Sequence, residues 1–348
     1  MKPRYLLSVL LFAAAMVSPA AAAAAEDRPV VTLMTHDSFA MSEAVFKTFE
    51  NHHNATLKIL KSGDAGAALN QAILSRRHPL ADAFFGVDNT FLSRALDAGI
   101  FVPHPAPDLS GVPRELQLDP QGRLLPIDFG DVCLNYDRDW FAERGLAPPS
   151  GLADLIDPAY RGLTVVQNPA TSSPGLAFLL TTIGTFGENG CLDFWRRLRD
   201  NDVYVANGWS DAYYGQFSRA GGTRPIVVSY ASSPAAEVFY SKGEVTRAPT
   251  AAVLGPGSAF RQIEFAGILD GAARPDLARQ LIDFMLAPAF QKDIPLQMWV
   301  FPAFVETPLP EIFQRHSRKA EQPVAIAPAE IERNREEWIE RWTEAVLR

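Results

Sequence analysis

Cysteine is nearly absent: Cys133 and Cys191 are the only two in 348 residues. Two distant thiols make no disulfide scaffold, and neither has a second cysteine at CxxC spacing. Whether they pair is left open, because a disulfide needs close Cα atoms that spacing does not reveal. Histidine is sparse too. Six are scattered, and only His52 and His53 are adjacent. They end an amphipathic helical pattern and lack acids at metal-ligand spacing. Common catalytic signatures are missing: there is no HExxH, GxSxG, Walker loop or GxGxxG. Gly208-Trp209-Ser210-Asp211-Ala212 lacks the second glycine of a nucleophile elbow, and Ser210 reads as a helix cap. With no visible nucleophile, base or metal cluster, the chain is expected to do no chemistry and to need no cofactor. An excess of positive charge is also missing, since the formal net charge is -8. Nucleic acid is therefore not an expected partner. After the first 25 residues no apolar stretch reaches the roughly 20 residues of a spanning helix.

What is present begins with an export pattern. Lys2 and Arg4 precede the apolar run Leu6 to Val17 and the small residues Ala20 to Ala25. That order predicts a cleavable signal peptide over 1–25, with cleavage after Ala23 or Ala25 and a periplasmic destination. No cysteine lies near that point to carry a lipid. Cleavage would remove two positive charges and leave an acidic mature chain of about 320 residues, long enough for two domains.

Strand and helix patterns then alternate. Val30–Met34, Ala55–Leu60 and Ala81–Val87 read as strands, and Ser42–His52, Gly66–Arg77 and Thr90–Ala98 as helices. This βαβαβ run predicts a parallel sheet with ligands beyond its carboxyl ends, at His36-Asp37-Ser38, Gly63-Asp64-Ala65 and Asp88-Asn89. Leu124–Tyr136 reads as a strand leaving for a second lobe. That lobe alternates again: strands at Leu163–Gln167, Val203–Ala206 and Pro225–Tyr230, with helices from Pro174, at Gly190–Arg199, at Ser210–Ser218 and at Pro234–Phe239. Phe260–Leu269 reads as the return strand, Pro275–Leu286 and Ala289 onward as helices, and Pro328–Arg348 as a last amphipathic helix with Trp338 and Trp342. The expected organisation is α/β: lobe 1 over 26–128, lobe 2 over 129–260, and a return to lobe 1 over 261–348 that includes the final helix. Such crossovers suit a hinged clamp.

Three segments carry binding chemistry. Thr171-Ser172-Ser173-Pro174-Gly175 and Ser229-Tyr230-Ala231-Ser232-Ser233-Pro234 both place Ser-Ser-Pro where a strand gives way to a helix. Serine suits the cap and proline the first turn. Neither start carries Asp or Glu, so both positive dipole ends are free for an anionic group such as phosphate. Plain N-capping is the competing reading of each. The third segment is Asn207 to Tyr214, where Trp209 follows Gly208 at a strand end. Trp209, Tyr230 and the loop residue Trp299 offer flat faces to an aromatic or cationic ring. Asp37 and Asp64, at strand ends of the other lobe, supply negative charge to a cation or simply cap helices.

In their order and joint presence these segments resemble the periplasmic thiamine-binding proteins of bacterial ABC importers. Thr35-His36-Asp37-Ser38-Phe39-Ala40, Pro126-Ile127-Asp128-Phe129-Gly130 and Phe284-Met285-Leu286-Ala287-Pro288-Ala289-Phe290-Gln291 add to the likeness, which runs along most of the chain after its signal. The resemblance implies a two-lobed, type II periplasmic-binding-protein fold, each lobe a mixed sheet flanked by helices, with the ligand in the interlobe cleft. It implies a monomer that captures thiamine or its phosphate esters, including thiamine pyrophosphate, and delivers it to a membrane permease and its ATPase. Asp64 and Ala65 fall where that family's first lobe meets the ligand. Ser172 and Ser173 fall at the second-lobe helix start, and Trp209, Tyr230, Ala231, Ser232, Ser233 and Trp299 match its aromatic and following contacts. This chain departs at His36, Ser42 and Ala236, where aromatic residues are usual. Ferric-iron binding through Tyr213-Tyr214, and polyamine or aminophosphonate binding, are the alternatives within the superfamily.

Overall fold

The computed structural model describes residues 28–105 and 108–348. The expected signal segment, 1–25, lies outside the described residues.

The first half alternates as its periodicities require. β1 (Val30–Thr35), α1 (Glu43–His53), β2 (Thr56–Lys61), α2 (Ala65–Leu74), β3 (Ala83–Asp88) and α3 (Leu92–Asp97) succeed one another. β1 pairs in parallel with both β2 and β3. α2 stops at Leu74, short of the expected Arg77. Next come β4 (Phe101–Val102), β5 (Leu125–Asp137), α4 (Arg138–Arg144), β6 (Thr164–Gln167), α5 (Ser173–Asp200), β7 (Tyr204–Ala206), β8 (Ile226–Tyr230), α6 (Ser233–Tyr240) and β9 (Thr250–Val253). The chain ends with β10 (Ala259–Leu269), α7 (Pro275–Leu286), α8 (Pro288–Gln291), α9 (Ile294–Gln297), β11 (Phe301–Pro302), α10 (Glu311–His316) and α11 (Pro328–Val346).

The strands run in the order β2-β1-β3-β10-β5-β8-β6-β7. The two long strands, β5 and β10, hold the halves together. They pair antiparallel from Ala259 opposite Cys133 to Ala266 opposite Leu125. Towards one end β10 carries β3, and towards the other β5 carries β8 and β9. Both halves thus share one hydrogen-bonded ribbon. Two register shifts interrupt it. Against β5 the pairing passes from Glu264–Asp128 to Phe265–Pro126, which leaves Ile127 bulged. Against β3 it passes from Phe265–Val87 to Ala266–Phe85, which leaves Gly86 bulged. Bulges re-aim side chains and often mark functional sites. Gly86 has φ +102°, and a Cβ there would lie 2.4 Å from Cδ2 of His36. Only glycine meets both demands.

α1 is capped as expected, by Ser42 Oγ accepting from Val45 N. The two helices foreseen after β6 are present, joined end to end as α5 with a non-helical break at Gly187 (φ 68°, ψ 166°). One expectation changes and one open question is answered. The helix foreseen over Ser210–Ser218 is a single wide π turn, Asp211–Gln216, whose preceding Ser210 makes no side-chain cap. The two thiols are free and buried. Cys191 sits beside Thr182 of α5, 3.2 Å from its hydroxyl. Cys133 lies in a separate cluster with Ala231, Ala259 and Ala320.

α11 spans the back of the molecule. Trp342 is fully buried and meets Trp195 of α5 edge to face at 5.5 Å. Arg335 lies over the ring of Phe91, which precedes α3, at 5.2 Å. The last helix therefore packs on elements from both halves.

Candidate functional site

A cleft of about 650 Å³ opens between the halves. That is within the usual size for a small-molecule site, roughly 300–1,000 Å³. Its first-half wall comes from the carboxyl end of β1 (His36 to Ala40), from Lys61, and from the start of α2 (Asp64 and Ala65). Its second-half wall comes from Ser173 and Pro174, the Trp209 loop, Tyr230, and one face of α6. The segment from Gln297 to Val300 closes a third side.

Trp209 is locked in place. Its indole N–H donates to Ser229 Oγ at 3.0 Å, and Ser229 is in turn 2.9 Å from Ser233 Oγ. Its ring stacks on Tyr213 at 4.9 Å and 17°. Its backbone N–H donates across the cleft to Asp64 Oδ2 at 3.1 Å. Asp64 also caps its own helix, accepting from Ala65 N at 2.8 Å. One carboxylate therefore both starts α2 and ties the first half to the second. A Cβ on Gly208 would come 2.9 Å from that same oxygen, which explains the glycine beside the tryptophan.

The Ser-Ser-Pro starts behave differently from ordinary caps. Ser172, at the N-cap of α5, makes no side-chain cap bond, nor does Ser232 at the N-cap of α6. Ser172 Oγ is buried and has no hydrogen-bond partner among the described residues, and Ser173 Oγ is buried beside the carboxyl of Asp88. Ser232 donates instead to the carbonyl of Trp299. Capping thus does not account for these serines. Of the pair in each motif, Ser173 and Ser233 face the cleft. Ser172, Ala231 and Ser232 are almost fully buried in the wall behind it, so their contribution is to shape the wall.

Trp299 has φ +59°, costly for a bulky side chain and a sign that surrounding contacts impose it. Its indole N–H donates to Tyr240 Oη at 3.3 Å, and its ring lies near Phe239. Tyr214 and Tyr240 are more than half exposed at the mouth. Asp37 is at the rim, exposed, accepting from Gly63 N at 3.0 Å. Beside it Lys61 Nζ donates to the Asp37 carbonyl. Tyr213 donates to Glu237 Oε1 at 2.6 Å, and burial, with the Glu237 charge, pushes its phenol well above the ordinary range.

The floor of the cleft joins Tyr230 and His36 to Gln262 and Glu264, which the sequence did not single out. Tyr230 Oη donates to Gln262 at 3.0 Å, and burial pushes that phenol well up. His36 Nε2 lies 3.1 Å from Glu264 Oε1. Burial pulls the imidazole down, but the charge of Glu264, with Asp64 and Asp88, outweighs it and leaves His36 raised. Asp128 and Asp88 stand behind Glu264, both fully buried. Burial pushes Asp88 up to about 6 and Asp128 well above the carboxylate range, with Glu264 adding to the latter. The available signal was Gln262 and Glu264, two residues apart in a return strand whose other polar residue, Arg261, points to the opposite face. That alternation marks one face of β10 as turned to something polar. Asn89, foreseen at a strand end, instead binds backbone, giving to the Arg261 carbonyl and accepting from Ile263 N.

Taken together, the site offers a fixed indole face, two helix starts free of acid, and a carboxylate-rich floor. Comparison with known proteins agrees with a binding cleft. The chain is 32% identical over 326 residues to the thiamine-binding periplasmic protein of Escherichia coli (strain K12), covering 92% of this chain and 94% of that one. A solved periplasmic thiamin binding protein matches with a TM-score of 0.81 at 29% identity, over 92% of this chain and 97% of that one. Iron-bound HitA from Pseudomonas aeruginosa shares the fold alone, at a TM-score of 0.72 and 20% identity, over 91% and 99% of the two chains. The architecture is the two-lobed, type II fold of periplasmic binding proteins, with each lobe a mixed α/β layer. The profile of bacterial extracellular solute-binding proteins matches residues 78–319, and the chain belongs to that family.

Proposed function

We propose that this protein captures thiamine, or one of its phosphate esters, in the periplasm and hands it to the permease and ATPase of an ABC importer without altering it. The observation that carries this reading is Trp209, pinned by Ser229, stacked on Tyr213 and set opposite Asp64. A flat cationic molecule suits a fixed aromatic face beside carboxylates. A phosphate tail suits the starts of α5 and α6, where Ser173 and Ser233 face the cleft and no acid occupies the first turn. Lys61 and Arg219 on the lining add positive charge for such a tail. The named relatives support thiamine as the ligand.

Ferric iron is the second reading, raised by Tyr213-Tyr214. Iron binding through phenolates needs both to lose their protons, whereas Tyr213 donates a hydrogen bond to Glu237, and burial with the Glu237 charge keeps the proton on the phenol. The deciding experiment is calorimetric titration of ligand-free protein with thiamine, its mono- and diphosphate, ferric ion and spermidine. Saturable heat with a thiamine form is the expected result. Silence with all of them, or a phenolate-to-iron absorption band, overturns the proposal.

A further inference from the structure

Three carboxylates stand in a row across the ribbon at the cleft floor. Asp128 of β5 is directly opposite Glu264 of β10, and Glu264 is directly opposite Asp88 of β3. Directly opposed side chains share one face of a sheet, with Cβ atoms roughly 4.5–5.5 Å apart. Three ionised neighbours at that spacing repel one another, and burial worsens it. Asp88 is steadied by Thr90, whose N–H and hydroxyl both donate to it. Asp128 abuts Glu264, and burial, with the charge of that carboxylate and a hydrogen bond to it, holds the Asp128 carboxyl well above the ordinary range. The nearest cation is His36, on the end of β1, reaching Glu264 from the cleft side. The bulge at Gly86 leaves the space its ring occupies.

The groups facing His36 are few. Glu264 and Asp88 come from β10 and β3, Asp64 from the start of α2, and Phe85 lies beside its ring at 5.6 Å. Tyr230 and Gln262 complete the floor. Arg335 of α11 is within electrostatic reach of Asp88 from behind, and Lys61 lies at the rim, turned to the Asp37 carbonyl. Among these, His36 is the one cation that borders both the row and the cleft.

We propose that His36 is the resident counter-cation of this carboxylate row, and that a positively charged ligand ring takes its place electrically, so that the cleft selects cationic rings and releases protons as it binds them. The step is a simple exchange. The ligand's fixed positive charge arrives beside Glu264, and the imidazolium gives one proton to solvent. Any proton held by Asp128 or Asp88 is released in the same direction. A neutral ring of the same shape leaves the imidazolium in place. This inference rests on the proposed thiamine reading and adds how the site tells a thiazolium from an uncharged ring.

The test uses the full chain and two probes: thiamine, and the analogue in which a neutral thiophene ring replaces the thiazolium. Both keep the same aminopyrimidine, so its own titration cancels. Affinities are measured by calorimetry from pH 5.5 to 8.5, in buffers of different ionisation enthalpy. Thiamine's advantage over the analogue should grow with pH, roughly tenfold for each unit by which binding lowers the His36 pKa, with net proton release to the buffer. His36→Gln should flatten that growth. Independently of how this variant folds, the wild-type imidazole is also followed by NMR, and its titration midpoint should fall when thiamine is bound. Parallel pH profiles for the two probes, or an unmoved His36 midpoint, overturn the inference while leaving thiamine capture intact. No binding of thiamine at any pH removes both.

Discussion

Single residues set what this cleft can hold. Trp209 is held by one hydrogen bond from its indole and one from its backbone, so its face is preorganised and a ligand need not order it. Trp209→Ala is expected to weaken thiamine binding by about 1–3 kcal/mol, the usual worth of one ring stacked on an aromatic side chain. Titration calorimetry checks this, and an unchanged Kd would show that the ring is structural only. Asp88 makes a different prediction. Its carboxyl is pushed up to about 6 by burial, above an ordinary value of 3.8. The folded state therefore holds its proton more tightly than the unfolded chain does. The sign follows: stability falls as pH rises from about 4 through 6, and the deficit persists above that. A shift near two units corresponds to about 3 kcal/mol. Asp88→Asn should remove most of this decline, read as a gain in melting temperature at pH 7 with little change at pH 4. An equal shift at both pH values would mean that the Thr90 bonds, not the charge, dominate.

At the scale of elements, α2 and the Trp209 loop meet across the cleft. A Cβ on Gly66 would lie 3.0 Å from the carbonyl oxygen of Thr171 and from Cζ of Phe91. Gly66 sits inside α2, where alanine is favoured over glycine by about 1 kcal/mol. Gly66→Ala should therefore leave the melting temperature unchanged or raised while lowering ligand affinity, because the two walls are pushed apart. Parallel thermal melts and binding titrations check it, and a loss in both would point to damage within the first half. Elements were also what the sequence showed best. β1, β2, β3 and the helices between them follow from apolar periodicity, and the starts of α5 and α6 from Ser-Ser-Pro. The break at Gly187 was foreseen as the gap between two helices, whereas the π turn at Asp211–Gln216 was hidden, since it depends on packing against β6 and β8. Of the site, the indole, Asp64 and the cleft-facing serines were legible because each lies at the end of a local pattern. The carboxylate row was not. Asp88, Asp128 and Glu264 are far apart in sequence, and only the bulges at Gly86 and Ile127 bring them into one line.

Across the whole molecule, α11 links what the cleft separates. Trp342 is buried against Trp195 in α5, while Arg335 covers Phe91 beside α3. Trp338 adds a bond from its indole N–H to Glu188 Oε1 at 3.0 Å. Removing a buried tryptophan costs about 3–5 kcal/mol, and here the loss falls on contacts away from the cleft lining. Trp342→Ala should lower the denaturant midpoint strongly yet leave the affinity of the remaining folded protein nearly unchanged. A matching drop in affinity would show that α11 also governs how the halves approach. The ribbon of β5 and β10 has a further consequence for the chain as a heritable object. β10 pairs with β3 of the first half, β5 with β8 of the second, and the two strands pair with each other, so neither half owns a complete set. A gene fragment encoding one half would leave an unpaired sheet edge along the cut, so recombination cannot trade these halves as modules, and the two must be inherited together.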